Sequence, residues 1–147
     1  MSIQPRESLI PLAHKCAEAA GLEPSVVCAI IEQESSWNTW AVRFEPEFER
    51  RYIHPALQTA PTTEELCLAV SWGLMQVMGK TAREHGFNGR FLNALCDPET
   101  GISIGCAVFA AKLVKAKGVL ERALLLWNGG TNADYPREVM ARLPHYV

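Results

Sequence analysis

The sequence predicts a compact, all-α single domain built around a buried central helix. Apolar residues recur at spacings of three and four along most of the chain, and no period-two run of β-branched residues appears. Size predicts a single domain, because 147 residues with 48% hydrophobic side chains are enough for one domain with a substantial core. We therefore expect residues 1–147 to form one domain, and no internal repeat is visible.

The first helix is predicted from an apolar stripe that extends from Leu9 to Ala20. Gly21 follows the stripe and suits the end of a helix. The start of this helix has two candidates, which are Arg6, with a kink at Pro11, or Pro11 itself.

A second helix is predicted to begin at Pro24, because proline suits a first helical turn, and to extend to about Ser35. Its apolar run Val26–Ile31 predicts that most of this helix is buried. Residues 38–62 then form a long connection with a short helix near Pro46. Loops of that length in compact domains are often functional.

Caps and apolar spacing predict five further helices, at about 64–70, 80–85, 98–117, 119–127 and 136–143. The helix that begins after Asp97 is the longest of these and carries an apolar stripe from Ile102 to Leu113, so we assign it as the central helix. The segment Ser71–Val77 is interrupted by glycine and predicts neither a clean helix nor a clean strand.

Composition and charge exclude several function classes. The formal net charge is -2 and the basic residues are scattered, which is not typical of a nucleic-acid-binding surface. The apolar stretches are far shorter than the roughly 20 residues of a membrane span, so no membrane insertion is expected. The four histidines are isolated and no Cys/His cluster occurs, so we expect no metal and no cofactor.

The five cysteines lie mostly among apolar neighbours and form no CxxC pair, so we predict that they are reduced core residues. The beginning of the sequence lacks the charged region and apolar run of a secretory signal. Synthesis in the cytoplasm without a signal peptide is therefore expected.

Glu34 is the first candidate for chemistry. In a helix it shares a face with Val27, Ile30 and Ile31, whereas Glu32 points the other way. Burial disfavours the charged form of a carboxyl and raises its pKa, as a general acid near neutral pH requires. On this pattern alone, the alternative is a carboxylate that caps a loop or pairs with an arginine.

Two further side chains have both a functional and a structural interpretation. Trp127 ends an apolar helix face before a glycine turn, where an indole either stacks on a sugar ring or packs in the core. Gln76 lies in an apolar, glycine-containing stretch, where its amide bonds either a ligand or the backbone, and the backbone is the default.

Three segments, taken in order, resemble the soluble lytic transglycosylases, a family with the goose-type lysozyme fold that cuts bacterial peptidoglycan. The first is an apolar helix that ends in Glu34-Ser35, the second is Ser-Trp-Gly-Leu-Met-Gln at 71–76, and the third is Leu-Leu-Trp-Asn-Gly-Gly at 125–130. A later Tyr-x-x-x-Val, from Tyr135 to Val139, also fits. The resemblance covers about residues 24–139 and implies a compact, lysozyme-like fold.

The resemblance implies roles for particular residues. The catalytic acid of the family falls on Glu34. The implied substrate-binding positions are Ser35, Met75, Gln76, Trp127 and Asn128. Trp127 departs from the family, which usually has a tyrosine there whose hydroxyl helps place the carboxyl, and an indole can do so only as a donor. The region Arg43–Tyr52 resembles a branch found in phages and prophages.

The implied activity is that of a peptidoglycan lytic transglycosylase, which cleaves the MurNAc–GlcNAc β-1,4 bond without water and leaves 1,6-anhydro-MurNAc ends. One acid suffices, because the acetamido group of the substrate takes the place of a second carboxylate. The resemblance further implies a monomer that acts on the glycan strands of the bacterial cell wall in the periplasm, as a phage endolysin or a virion component.

Two other functions are open at this point. Glu45, in the long connection, is a candidate second carboxylate that would activate water and make the protein a muramidase of lysozyme type. A loop glutamate beside Arg43 is, however, more typical of a solvated charge. A non-catalytic peptidoglycan-binding module would instead use Trp37 and Trp127 to stack on sugars.

Overall fold

The computed structural model of the protein describes residues 4–56 and 61–147. Residues 57–60, which belong to the predicted long connection, and residues 1–3 lie outside the described residues. The helices are α1 (Arg6–Ala19), α2 (Pro24–Ser35), α3 (Pro46–Phe48), α4 (Thr63–Leu68), α5 (Gly79–Glu84), α6 (Pro98–Lys115), α7 (Leu120–Trp127) and α8 (Tyr135–Met140). The strands are β1 (Val42–Phe44), β2 (Val70–Trp72) and β3 (Val77–Met78).

The first two helices pack against each other and form one side of the core. Helix α1 begins at Arg6 and continues through Pro11, so the earlier of the two predicted starts is the observed one. Pro11 is exposed, and water can satisfy the carbonyl that its missing N–H leaves free. Helix α2 is enclosed as predicted, since every residue of the run Ser25–Ile31 is buried.

A small antiparallel sheet in the order β1-β2-β3 is the feature that the sequence did not predict. Its strands contain three, three and two residues, which is too short for a period-two pattern to register. The turn between β2 and β3 contains Gly73 at φ +67°, where a Cβ atom would lie 2.4 Å from the carbonyl oxygen of Leu95. The glycine that interrupts this segment therefore builds a hairpin. The all-α class of the fold is confirmed, since the strands are few and short.

Helix α6 is the longest helix and packs against α1, α5 and α7. The side chain of Asp97 caps it by accepting a hydrogen bond from the backbone N–H of Thr100, as the sequence predicts. Its inner face is buried, while Ser103 and Ala107 are exposed to solvent. The domain thus has two inner helices, α2, which is surrounded over Ser25–Ile31, and α6, which lies across the core.

The long connection after α2 folds into β1, α3 and two tight turns. The helix predicted near Pro46 is present, and it continues into a π-helical turn at Glu49–Ile53 and a 3₁₀ turn at His54–Ala56. The rings of Phe48 and Tyr52 pack with their centroids 4.8 Å apart. Strand β1 brings this connection beside the C-terminal end of α4, since the backbone N–H of Glu45 donates to the carbonyl of Ala69.

Four of the five cysteines are buried and none forms a disulfide in the described part of the chain. Burial raises the pKa of the Cys28 thiol to about 11 and that of Cys106 to about 12, so both behave as core side chains. Within the described ranges, no helix combines the length and the apolar character needed to cross a membrane.

Candidate active site

Glu34 lies in the last turn of α2, just before the chain leaves the helix through Ser36 in the left-handed conformation. Its carboxyl group is partly buried, and its Oε1 atom accepts two hydrogen bonds. The hydroxyl of Tyr135 donates to Oε1 over 2.5 Å, and the Nε1–H of Trp127 donates to the same oxygen over 3.0 Å. Among the described residues, no donor is bonded to the second oxygen, Oε2.

The two donors come from neighbouring helix ends. Trp127 is the last residue of α7, and its indole packs edge-on against Phe109 of α6 with ring centroids 5.7 Å apart. Tyr135 is the first residue of α8 and is 6% exposed. Because both rings are anchored in the core, their donor atoms meet Glu34 without a further loss of side-chain freedom.

A second contact fixes α8 against α2 beside the carboxyl. Gln33 Nε2 donates to Glu138 Oε2 over 3.0 Å, and Asn132 Nδ2 donates to the same oxygen over 3.2 Å. Glu138 therefore connects the residue before Glu34 with the helix that carries Tyr135. This contact joins the two helices that carry the carboxyl and its tyrosine donor.

Burial raises the pKa of Glu34 above its usual range, because the charged form loses hydration. The bonds from Tyr135 and Trp127 and the charge of Arg43 act in the opposite direction, while the charge of Glu45 adds to the rise. The net effect is a raised pKa. Burial, together with the negative charge of Glu34, also raises the pKa of Tyr135, so its hydroxyl keeps its proton and acts as a donor.

Glu45 follows β1, which pairs with β2 of the hairpin whose Leu74 carbonyl bonds Ser35, and the charges of Glu45 and Arg43 act in opposite directions on the pKa of Glu34. Its own carboxylate pairs with Arg43, with 2.5 Å between Oε1 and the arginine Nε. The Arg43 side chain is 70% exposed and that of Glu45 is 31% exposed. The candidate second carboxylate is therefore half of a solvent-accessible ion pair.

The side chain of Gln76 bonds mainly to the backbone, as the default interpretation of its amide predicts. Its Nε2 donates to the carbonyls of Ala41 and Gly73, each over 2.9 Å, and its Oε1 accepts from Ser71 over 2.8 Å. Gln76 is itself in the left-handed region at φ +50°. These bonds hold the hairpin turn against Ala41, the residue before β1, and contact between this amide and substrate stays a prediction.

Ser35 and Met75 also support the site from inside. The Ser35 hydroxyl lies within hydrogen-bond distance of the carbonyls of Leu74, at 2.8 Å, and Ile31, at 3.1 Å. Met75 is 1% exposed and packs over Gly105 of α6, where a Cβ atom would lie 2.4 Å from the methionine Sδ. With this burial, the Met75 side chain underlies the hairpin and is shielded from a ligand in the observed conformation.

Asn128 organises the turn that follows Trp127. Its Oδ1 accepts from the backbone N–H of Gly130 over 3.0 Å, and its Nδ2 donates to the carbonyl of Asn132 over 3.4 Å. The turn directs the chain from the end of α7 to the start of α8. A direct contact between Asn128 and substrate stays a prediction.

Tyr135 is the site residue that was not assigned from the sequence. The Tyr-x-x-x-Val pattern includes it, but nothing local indicates that a tyrosine 101 residues after Glu34 reaches its carboxyl. The signal that could have found it is the missing hydroxyl at Trp127, which leaves the carboxyl in need of another donor.

In the described ranges, no group of three or more histidine, cysteine, aspartate or glutamate side chains is arranged to hold a metal ion. The chemistry that the site can supply is proton transfer. A carboxyl with a raised pKa, one oxygen held by two donors and the other without a bonded donor, can release and recover a proton at Oε2.

A helical domain with one small antiparallel sheet and a partly buried glutamate at the end of an inner helix belongs to the lysozyme-like class of folds. A family model, described as the transglycosylase SLT domain, matches residues 11–139. Because the match covers most of the sequence, the chain belongs to the transglycosylase SLT domain family. This family consists of lytic transglycosylases, which indicates an enzyme that acts on peptidoglycan of the cell wall.

The matched region includes most of α1, ahead of the segments that carry the resemblance. Searches of curated proteins and of solved structures found no significant match.

Proposed function

We propose that the protein cleaves the MurNAc–GlcNAc β-1,4 bond of peptidoglycan and that Glu34 is its catalytic acid and base. The observation that carries this proposal is the Glu34 carboxyl, which is partly buried, has a raised pKa and is held at Oε1 by Tyr135 and Trp127. A protonated carboxyl near neutral pH is what departure of a sugar alcohol requires.

In the first step, the proton on Glu34 Oε2 passes to the glycosidic oxygen as the bond from that oxygen to C1 of MurNAc breaks. The leaving GlcNAc chain departs with a neutral hydroxyl. The positive charge that develops at C1 is stabilised by the oxygen of the substrate's own acetamido group. Tyr135 and Trp127 stabilise the carboxylate that remains, because both donate to its Oε1 atom.

In the second step, the Glu34 carboxylate takes the proton of the MurNAc C6 hydroxyl. The freed O6 attacks C1, and the new C1–O6 bond closes a 1,6-anhydro ring. Glu34 is then protonated again and no water is consumed. This cycle needs one carboxyl group that alternates between its protonated and its ionised form. Burial favours the protonated form of Glu34, and its hydrogen bonds favour the ionised form.

A muramidase reaction is the second candidate, and the effect of the Glu45 charge on the Glu34 pKa is the finding that favours it. Glu45 would take a proton from water, whose oxygen would bond to C1 in place of O6. The ion pair with Arg43 favours the transglycosylase reaction instead, because it occupies the carboxylate that would have to activate water.

The test is mass spectrometry of the soluble fragments that the protein releases from purified peptidoglycan. Glu34→Gln is the blank, and Glu45→Gln tests the second carboxylate. We expect anhydro ends, which are one water lighter than reducing ends, from the wild type and from Glu45→Gln, and no release from Glu34→Gln. Reducing ends that disappear in Glu45→Gln would establish the muramidase. Binding to peptidoglycan without release would make the protein a binding module.

We further propose that this activity opens the cell wall in a phage context, as an endolysin or a virion component. The support is the region Arg43–Tyr52, which resembles the phage and prophage branch and includes α3 and most of β1 and of the π-helical turn. Expression in the periplasm of a test bacterium should cause lysis that Glu34→Gln does not cause.

A further inference from the structure

A second glutamate on α2, Glu32, faces away from Glu34 and contacts the C-terminal end of the chain. Its Oε2 accepts a hydrogen bond from the Tyr146 hydroxyl over 2.5 Å. His145 Nδ1 lies 3.2 Å from the same oxygen, and Arg142 Nε lies 3.9 Å from Oε1. None of these contacts belongs to the proposed chemistry.

The Tyr146 hydroxyl makes a second hydrogen bond, to a residue that follows Glu34 in the sequence. It accepts from the Nε1–H of Trp37 over 2.8 Å while it donates to Glu32. The two rings also pack with centroids 5.9 Å apart, and the guanidinium of Arg6 lies 4.9 Å from the centre of the Tyr146 ring. One hydroxyl thus connects the residue two before Glu34 with the residue three after it.

The segment between these two anchors is strained. Ser36 and Trp37 are consecutive non-glycine residues at φ +50° and +64°, a region that L-residues adopt at a cost. Such a conformation persists only where the surroundings hold it. Trp37 is 5% exposed, and its single side-chain donor is bonded to Tyr146, which therefore holds the turn that follows the Glu34 helix end.

The groups that face Glu32 keep its carboxyl ionised. Burial alone would raise the pKa of Glu32, but bonds from Tyr146 and His145 and the charges of His145 and Arg6 lower it. Arg142, which follows α8, is a third basic group facing this carboxyl. Burial and the bond to Glu32 raise the pKa of Tyr146 to about 12, so its hydroxyl stays protonated and can donate.

We propose that Tyr146 is a positioning residue for the reaction, acting on Glu34 through Glu32 and Trp37. This inference rests on the proposed function of Glu34. The Tyr146 hydroxyl fixes both flanks of the helix end, and so keeps Oε1 of Glu34 within reach of the Tyr135 and Trp127 donors. Tyr146 itself contacts neither reacting atom.

The variant Tyr146→Phe tests this, because it removes the hydroxyl and keeps the ring. Its matched control is Tyr52→Phe, since Tyr52 is 49% exposed and packs through its ring alone among the described residues. Both variants are compared with the wild type for folding by circular dichroism, for kcat and KM on peptidoglycan fragments, and for the Glu34 titration by ¹³C NMR of its carboxyl carbon.

We expect Tyr146→Phe to lower kcat about tenfold with KM changed less than about twofold, because a small misplacement of a reacting group is costly. The Glu34 titration midpoint should rise by at least about 0.3 pH units, since looser bonds from Tyr135 and Trp127 stabilise the carboxylate less. In a Tyr135→Phe background, Tyr146→Phe should raise the Glu34 midpoint much less. Tyr52→Phe should match the wild type.

A Tyr146→Phe protein with a lower melting temperature but wild-type kcat and an unchanged Glu34 midpoint would overturn the inference, because the role would be structural only. If the wild type itself released no fragments, the proposed function would fail, yet a raised Glu34 midpoint in Tyr146→Phe would still support the positioning. Should Tyr146→Phe not fold, Glu32→Gln weakens one of the two bonds and gives the same measurements with smaller changes.

Discussion

Helix α2 carries two glutamates on opposite faces, and each accepts a hydrogen bond from a tyrosine hydroxyl over 2.5 Å. A tryptophan N–H completes each cluster, by donating to Glu34 itself in one and to the tyrosine oxygen in the other. Despite these shared parts, the pKa of Glu34 is raised and that of Glu32 is lowered. The residue types in a cluster therefore do not decide what its carboxyl does.

The difference lies first in the burial of each carboxyl and then in the donors and charges around it. Bonds from Tyr146 and His145 and the charges of His145 and Arg6 favour the ionised form of Glu32, and Arg142 Nε lies 3.9 Å from its Oε1. Glu34 is more deeply buried, and the nearby pair of Arg43 and Glu45 acts on it with opposite signs. A buried carboxyl without a net positive environment becomes an acid, whereas one among basic side chains becomes an anchor.

The largest expected effect is a loss of activity, and it should be much greater for Glu34 than for Glu32. Glu34→Gln removes the group that transfers the proton, so we expect the rate of fragment release to fall about 1,000-fold. Glu32→Gln keeps an oxygen that accepts from Tyr146, so its rate should fall less than about tenfold. Release of soluble fragments from purified peptidoglycan measures both, with the exposed Glu18→Gln as control. Equal losses in Glu34→Gln and Glu32→Gln would contradict the distinction.

A smaller effect should come from the two donors to Glu34. Tyr135→Phe removes the shorter bond, and we expect kcat to fall about 10- to 100-fold, as for one hydrogen bond to a charged group. Trp127→Phe removes the longer bond but keeps a ring against Phe109, so the loss should be only about three- to tenfold.

Both donor variants should also move the pH dependence of kcat/KM. Each bond lowers the pKa of Glu34, so its removal raises that pKa and moves the alkaline limb of the profile to higher pH. Tyr52→Phe, with an exposed ring, is the control. A profile that stays in place while kcat falls would mean that these rings act on substrate rather than on the carboxyl.

The contrast between the two clusters also shows what could be predicted from the sequence. Helical spacing placed Glu34 on the inner face of α2 and Glu32 on the opposite face, because a helix fixes side-chain directions over a few residues. The helix start after Asp97 was predicted for the same reason, since capping is local. The chemistry of the indole limited Trp127 to a donor's role toward Glu34, and its Nε1–H donates to Oε1.

Contacts over long sequence separations could not be predicted in this way. Tyr135 and Tyr146 lie 101 and 114 residues from the glutamates they bond, and only the packing of α8 and the C-terminal turn against α2 brings them together. The internal partners of Gln76 depend likewise on how the hairpin meets Ala41. The three short strands were not predicted because their pairing is set by the turns around them.

The smallest effect should appear in stability, with opposite signs at the two glutamates. The raised pKa of Glu34 means that its contribution to stability is fully present below the unfolded value of about 4.5 and is lost as the pH rises through the folded value. Glu34→Gln removes this loss, so its stability relative to the wild type should increase between pH 4 and 7.

The lowered pKa of Glu32 means that its contribution is present above about pH 4.5 and is lost as the pH falls through the folded value. Glu32→Gln should therefore be less stable than the wild type at pH 7, by about 1 kcal/mol or 2–4 °C in melting temperature, and the gap should close toward pH 3. Thermal unfolding of the three proteins at each pH measures both differences, and other titrating groups largely cancel in the comparison. If the two difference curves had the same slope, burial alone would govern both carboxyls, and the basic side chains around Glu32 would have no role in making it an anchor.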